Sequence, residues 1–262
     1  MQIEPNPATP LSLVGKRGLI FGVANDHSIA AACARAVVAQ GAKIACTYLN
    51  DKALPYVHAV TDPLGCSLLF PCDVETPGQM EQAFAEAYLG LGGLDFVLHA
   101  IAFAPADDLK GRVVDCSAKG FTLAMDVSCH SFLRAARLAE PLMSTGGCLL
   151  TVSFFGSERV VPHYGLMGPV KAALESVVRY AAVELAPIGI RVNALSPAAI
   201  ATRAAGGIAH FDDLLVSEAA GPMHQMISAD DVGALAAFLV GDGARHITGV
   251  IIPIDGGQHL TG

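Results

Sequence analysis

Residues 18–30 read Gly18-Leu19-Ile20-Phe21-Gly22-Val23-Ala24-Asn25-Asp26-His27-Ser28-Ile29-Ala30. A short apolar run without polar alternation, a turn, and then an alanine-rich stretch ending at Gly41 predict a strand buried on both faces that feeds a helix. Such a strand belongs in a parallel sheet covered by helices, so the fold depends on whether this unit recurs.

It recurs along almost the whole chain. Strands are expected at 43–48, 67–71, 94–99, 148–153, 190–195 and 250–254. Helical patterns fall at 28–40, before the break at Pro63 and Gly65, and at 77–91, 117–143 and 164–186. Gly41, the pair Gly92-Gly93, and Pro187 with Gly189 close several of them. The alternation predicts an α/β fold: a doubly wound, Rossmann-type sheet of seven parallel strands flanked by helices, with the chain reversing after strand three. No linker, repeat or low-complexity segment interrupts it, so 1–262 is expected to form a single domain with an N-terminal extension at 1–13. The segment 198–226 carries Gly206-Gly207 and a helix-like run at 211–220 without a strand to anchor it. It is expected to be a small substrate-binding lid of loop and helix.

Composition narrows the partners. With 53% hydrophobic residues, the 262-residue chain can bury a large core. Sixteen basic residues against 24 acidic ones leave a net charge of -8, which repels phosphate backbones and anionic membranes. Neither nucleic acid nor a membrane is an expected partner. No apolar run reaches the roughly 18 residues of a membrane span, and residues 1–10 lack the basic-then-apolar pattern of a secretory leader. Seven cysteines without a Cys-x-x-Cys pair fit a reducing, cytoplasmic setting and suggest no metal site.

The strand ends carry the candidate chemistry. After the first strand, small residues in the turn would let backbone N–H groups approach a pyrophosphate at a helix N-terminus. Gly22 is the only glycine there, so Gly-x-Gly-x-x-Gly is absent, and Ser28 would cap a helix in any protein. Asp73, in Cys72-Asp73-Val74 after the third strand, is placed either to accept a bond from an adenine amino group or to cap the next turn. His99-Ala100-Ile101-Ala102 after the fourth strand offers small residues where a ribose could pass. Three such features at successive strand ends favour a dinucleotide. Leu49 follows the second strand, where an acid would bond the adenine ribose and select NAD. With neither acid nor arginine there, the residues leave NADH and NADPH both open.

The other informative stretch is Ser153-Phe154-Phe155-Gly156 followed by Tyr164-Gly165-Leu166-Met167-Gly168-Pro169-Val170-Lys171. A Tyr and a Lys seven apart on one helix share a face, about 10 Å apart along the axis. The phenol could then meet a substrate while the ammonium reaches a cofactor ribose. The plain alternative is a lysine snorkelling from a buried helix. Apolar neighbours at Val170, Ala173, Leu174, Val177 and Val178 mean that such a lysine needs a partner. The commoner Tyr-x-x-x-Lys spacing is unavailable, because the fourth residue after Tyr164 is Gly168.

Taken together, these motifs resemble bacterial enoyl-acyl-carrier-protein reductase, of the short-chain dehydrogenase/reductase superfamily. They are Gly22-Val23-Ala24 with Ser28-Ile29-Ala30, Thr47-Tyr48 with Asn50-Asp51, Cys72-Asp73-Val74, residues 101–105, Tyr164 with Met167-Gly168 and Lys171, residues 191–194, and the closing Asp255-Gly256-Gly257. The resemblance covers about residues 12–259. It implies hydride delivery from NADH to a trans-2-enoyl thioester on acyl carrier protein, in fatty acid biosynthesis, by a cytoplasmic homotetramer. Tyr164 would stabilise the enolate and Lys171 would hold the nicotinamide ribose. Gly22, Ser28 and Ile29 would cradle the phosphates, Asp73 and Val74 the adenine, and Ile101 the adjoining ribose. Ile200, Ala201, Thr202, Arg203 and Ala204 would lie over the nicotinamide and pyrophosphate, and Ala104 at the substrate mouth. Phe154 stands where many members carry a second tyrosine, Ala198 and Ala199 where glycine and proline are usual, and Ala100 where serine is common. A reductase for another activated alkene or carbonyl, and a cofactor-binding pseudoenzyme, are the competing readings.

Overall fold

A computed structural model describes residues 11–202 and 221–261. Seven strands, β1 (Arg17–Phe21), β2 (Lys43–Tyr48), β3 (Leu69–Pro71), β4 (Phe96–His99), β5 (Gly147–Val152), β6 (Ile190–Pro197) and β7 (Ile251–Ile254), form one sheet. Its order is β3-β2-β1-β4-β5-β6-β7, and every neighbouring pair is parallel. The chain steps outward from β1 to β3, then returns beside β1 as β4, which is the expected reversal. Because all seven strands run the same way, their carboxyl ends share one edge.

Alternate strand residues feed two cores, one on each face of the sheet. Leu19, Phe21, Val97, Leu149 and Val192 point to one face. It is covered by α3 (Gln79–Leu91), α5 (Ala118–Met125), α6 (Ser131–Ala139) and α7 (Met167–Leu185), with the short α4 (Ala106–Lys110) beside them. Ile20, Ile44, Leu98, Leu150 and Leu195 point to the other. There α1 (Ile29–Ala39), α2 (Leu54–Thr61) and α8 (Ala229–Val240) pack. The short α9 (Gln258–Thr261) closes the described chain. Helices α1 and α8 come so close that a Cβ on Gly233 would lie 2.7 Å from the Ala32 carbonyl oxygen.

Two helix expectations need correction. The stretch 117–143 is helical without a break but not uniformly α: α5 passes into a π-helical turn (Asp126–His130), then α6, then a 3-10 turn (Glu140–Leu142) at Pro141. Tertiary bonds account for the π turn. The Ser128 hydroxyl accepts from the Phe103 N–H (2.8 Å) and donates to its carbonyl (2.9 Å), while Ser131 Oγ lies 2.7 Å from His99 Nε2. The helix expected at 164–186 begins instead at Met167. His163 (φ 64) and Gly165 (φ 53) are left-handed, which an α-helix cannot continue. Pro169 is accommodated in the first turn, where its missing N–H costs nothing. Helix α8 was not anticipated, although Ser228 and Asp231 form a capping box at its start.

Candidate active site

The cofactor candidates collect along the carboxyl edge of the sheet. Gly22, one residue beyond β1, has φ 95, and a Cβ there would collide with the Ala100 carbonyl oxygen. The glycine therefore lets the turns after β1 and β4 touch. Ser28 is the N-cap of α1, accepting from the Ala31 N–H at 3.3 Å and donating to the Asn25 carbonyl at 2.8 Å. The first turn of α1, beginning at Ile29, carries no acidic residue, so its partial positive charge is uncompensated. Asp73 takes the turn-capping role, its carboxylate accepting from the Glu75 N–H at 3.0 Å. The neighbouring Val74 is buried, and its carbonyl accepts from Arg134 at 2.7 Å. Leu49 is exposed beyond β2, and Ile101 is half-buried beyond β4.

Beyond β6, Ile200 and Ala201 line a cleft with Asp26 and His27 of the β1–α1 turn and with Met226. The Thr202 N–H donates to the Ile200 carbonyl at 2.7 Å. Arg203, Ala204 and most of the 198–226 lid lie outside the described residues. Ala104 is half-buried between β4 and α4.

Tyr164 and Lys171 meet different partners. Lys171, in α7, is 5% exposed and donates to the Val152 carbonyl at 2.6 Å. Burial pulls its pKa down to about 8, against the opposing influence of the Cys129 thiol and the Glu175 carboxylate. Tyr164 is 7% exposed, and burial, then the charge of Glu175, push its phenol above the ordinary range. Its ring packs 4.7 Å from that of Phe154, which in turn lies 4.4 Å from Phe155. Gly156 has no room for a side chain, since a Cβ would stand 2.6 Å from the Tyr164 ring. A cleft of about 370 Å³ opens here, lined by Gly156, Val161, Tyr164, Gly168 and Pro169.

Sequence reasoning missed two polar groups. Glu175 is 3% exposed and accepts from the hydroxyls of Ser153 (2.5 Å) and Ser157 (2.6 Å). A carboxylate one helical turn beyond Lys171, between Leu174 and Val178, was the available signal. His99 is fully buried and lies beside the Ser131 and Thr151 hydroxyls, and desolvation pushes its pKa down to about 3.

Residues 22–259 match the family model described as enoyl-(acyl carrier protein) reductase. The chain belongs to that family. It is 41% identical over 249 residues to "Enoyl-[acyl-carrier-protein] reductase [NADH] 1" of Rhizobium meliloti, a match covering 95% of this chain and 92% of that protein. An enoyl-acyl-carrier-protein reductase from Anaplasma phagocytophilum, solved in complex with NAD, is 42% identical with a TM-score of 0.91 and 98% of each chain covered. A Bacillus cereus enoyl-acyl carrier protein reductase, solved with NADP+ and indole naphthyridinone, is 40% identical with a TM-score of 0.92, over 95% of this chain and 98% of that one. Ala198 and Ala199 are buried, and the Ala198 N–H donates to the Ile254 carbonyl at 2.9 Å.

Proposed function

We propose that this chain reduces the carbon–carbon double bond of trans-2-enoyl thioesters on acyl carrier protein, with NADH as reductant, in fatty acid biosynthesis. The observation that carries the reading is a family match over nearly the whole chain, with Tyr164 and Lys171 both buried beside the end of β5.

The residues fit a dinucleotide. Gly22 keeps the β1–α1 turn free of a side chain, and Ser28 and Ile29 open a helix whose N-terminus favours an anion. Asp73 and Val74 would hold the adenine, Ile101 the adjoining ribose, Leu49 the outer edge beyond β2, and Ile200 to Ala204 the nicotinamide end. When bound, the nicotinamide supplies hydride to the β-carbon of the enoyl group. Tyr164 then donates its hydroxyl hydrogen bond to the developing enolate oxygen. Burial, then the charge of Glu175, keep this hydroxyl protonated and so able to donate. Lys171 would present its ammonium to the nicotinamide ribose hydroxyls. Phe154 keeps the wall against Tyr164 but supplies no donor of its own. Ala104 would border the substrate mouth.

The proposed setting is a single-domain cytoplasmic enzyme that meets acyl carrier protein and no nucleic acid or membrane. Among the described residues, no helix is long and apolar enough to cross a membrane. A homotetramer with two-fold axes is supported by apolar side chains on the outer face of α7, where Tyr180 is 72% and Val183 75% exposed. The deciding assay follows oxidation of NADH and of NADPH with crotonyl and longer trans-2-enoyl thioesters. Saturable oxidation of NADH in preference to NADPH is expected; no turnover of any enoyl thioester would overturn the proposal.

A further inference from the structure

Three hydrogen bonds tie the segment after β5 to α7, and one residue makes two of them. Lys171 holds the Val152 carbonyl at one end of the segment. One turn further along α7, a single carboxylate oxygen of Glu175 accepts from Ser153 at 2.5 Å and from Ser157 at 2.6 Å. The two serines bracket Phe154, Phe155 and Gly156, and of these Phe154 and Gly156 pack against the Tyr164 ring. The Phe154 ring lies 4.7 Å from the Tyr164 ring, and Gly156 passes so close that no side chain fits between them. A buried carboxylate is costly unless its acceptor capacity is used, and here two hydroxyls use it. The clamp therefore fixes the surface on which Tyr164 rests and the carbonyl that Lys171 grips.

Resting on the assignment of Tyr164 and Lys171 made above, we infer that Glu175 is a positioning residue for the reduction, locking the 152–157 segment so that the phenol and the ammonium are held in register. It touches neither substrate nor cofactor in this role. Its charge acts on the same pair. The titratable groups facing Lys171 are Cys129 from the π turn, His99 from the end of β4 and Glu175 from α7 itself, while Tyr164 faces Glu175. The His99 imidazole is held neutral and the Cys129 thiol is pushed up by burial, so Glu175 supplies the negative charge that favours the Lys171 ammonium.

The test uses the full chain carrying Glu175→Gln or Ser157→Ala, with Tyr164→Phe and Lys171→Ala measured alongside. The readouts are kcat, KM for a crotonyl thioester, NADH affinity, thermal midpoint and the pH profile of kcat. Glu175→Gln is expected to lower kcat roughly tenfold, with KM and NADH affinity at pH 7 within about threefold of the parent. The alkaline fall in kcat should move to lower pH, because Lys171 loses the charge that favours its protonated form. Ser157→Ala breaks one tether and keeps the charge, so kcat should fall severalfold while the alkaline limb stays in place. It also carries the test should Glu175→Gln fail to fold. A lowered thermal midpoint with unchanged kcat and pH profile would make Glu175 merely structural and overturn the inference. Losses in Tyr164→Phe and Lys171→Ala with none in the other two variants would overturn it alone. No loss in any of the four would overturn the site assignment and the inference together.

Discussion

At Tyr164 and Lys171 the two proposed roles predict different kinetic losses. A hydroxyl that stabilises the enolate acts mainly in the transition state, so Tyr164→Phe should lower kcat by about 10²–10³ and leave NADH affinity nearly intact. Lys171→Ala should weaken NADH binding and reduce turnover as well. Cofactor titration and steady-state kinetics on folded variants separate the two; the reverse pattern would mean the roles are exchanged. The backbone around Tyr164 makes its own prediction. Gly165 is left-handed (φ 53), and a Cβ would stand 2.7 Å from the Leu109 carbonyl oxygen. Gly165→Ala should therefore cost about 1–3 kcal/mol. Gly111→Ala is the control, since the nearest contact to its Cβ is 3.6 Å away. Equal thermal midpoints for the two variants would contradict this account.

Between elements, His99 links β4 to α6 and β5 through Ser131 and Thr151. Its imidazole has a pKa of about 3 in the folded chain against an ordinary 6.5. Over that interval the unfolded chain binds a proton that the folded chain refuses. Its contribution to stability is thus full above about pH 6.5 and declines as pH falls toward 3. Urea midpoints measured from pH 7.5 to 4.5, at fixed protein concentration, should fall more steeply for the parent than for His99→Gln. Parallel slopes would show that His99 does not titrate on unfolding. The same junction explains why the helical stretch at 117–143 carries a π turn between α5 and α6. Bonds from Ser128 to Phe103 and from Ser131 to His99 fix α5 and α6 in a phase that one continuous α-helix could not satisfy.

For the molecule as a whole, the outer face of α7 leaves Tyr180 and Val183 largely exposed, an apolar surface that a second copy would cover. Light scattering at micromolar concentration should give the mass of a tetramer. The double variant Tyr180→Glu with Val183→Glu should give a smaller species, because two buried carboxylates without partners oppose association. A monomer mass for the parent chain would remove the assembly proposal.

The sheet was legible without coordinates because its signal is local. Each run of five or six apolar residues bounded by glycine, proline or aspartate reads as a strand buried on both faces, and steady βα alternation leaves few topologies open. The strand-end candidates Gly22, Asp73 and Ile101 followed from that topology, whereas Ile200 rested on the family resemblance. Helix boundaries were less legible. Spacing alone put Tyr164 and Lys171 on one helix, although Gly165 and Pro169 already argued for a later start. Tertiary structure decided the rest. The need for glycine at position 22 comes from Ala100, 78 residues away. The π turn comes from Phe103 and His99, and the hold on Tyr164 from Glu175 reaching back to Ser153 and Ser157. Sequence periodicity determines which face of an element is buried; only the packed fold determines which polar groups meet there, and burial then sets how readily they give up or take a proton.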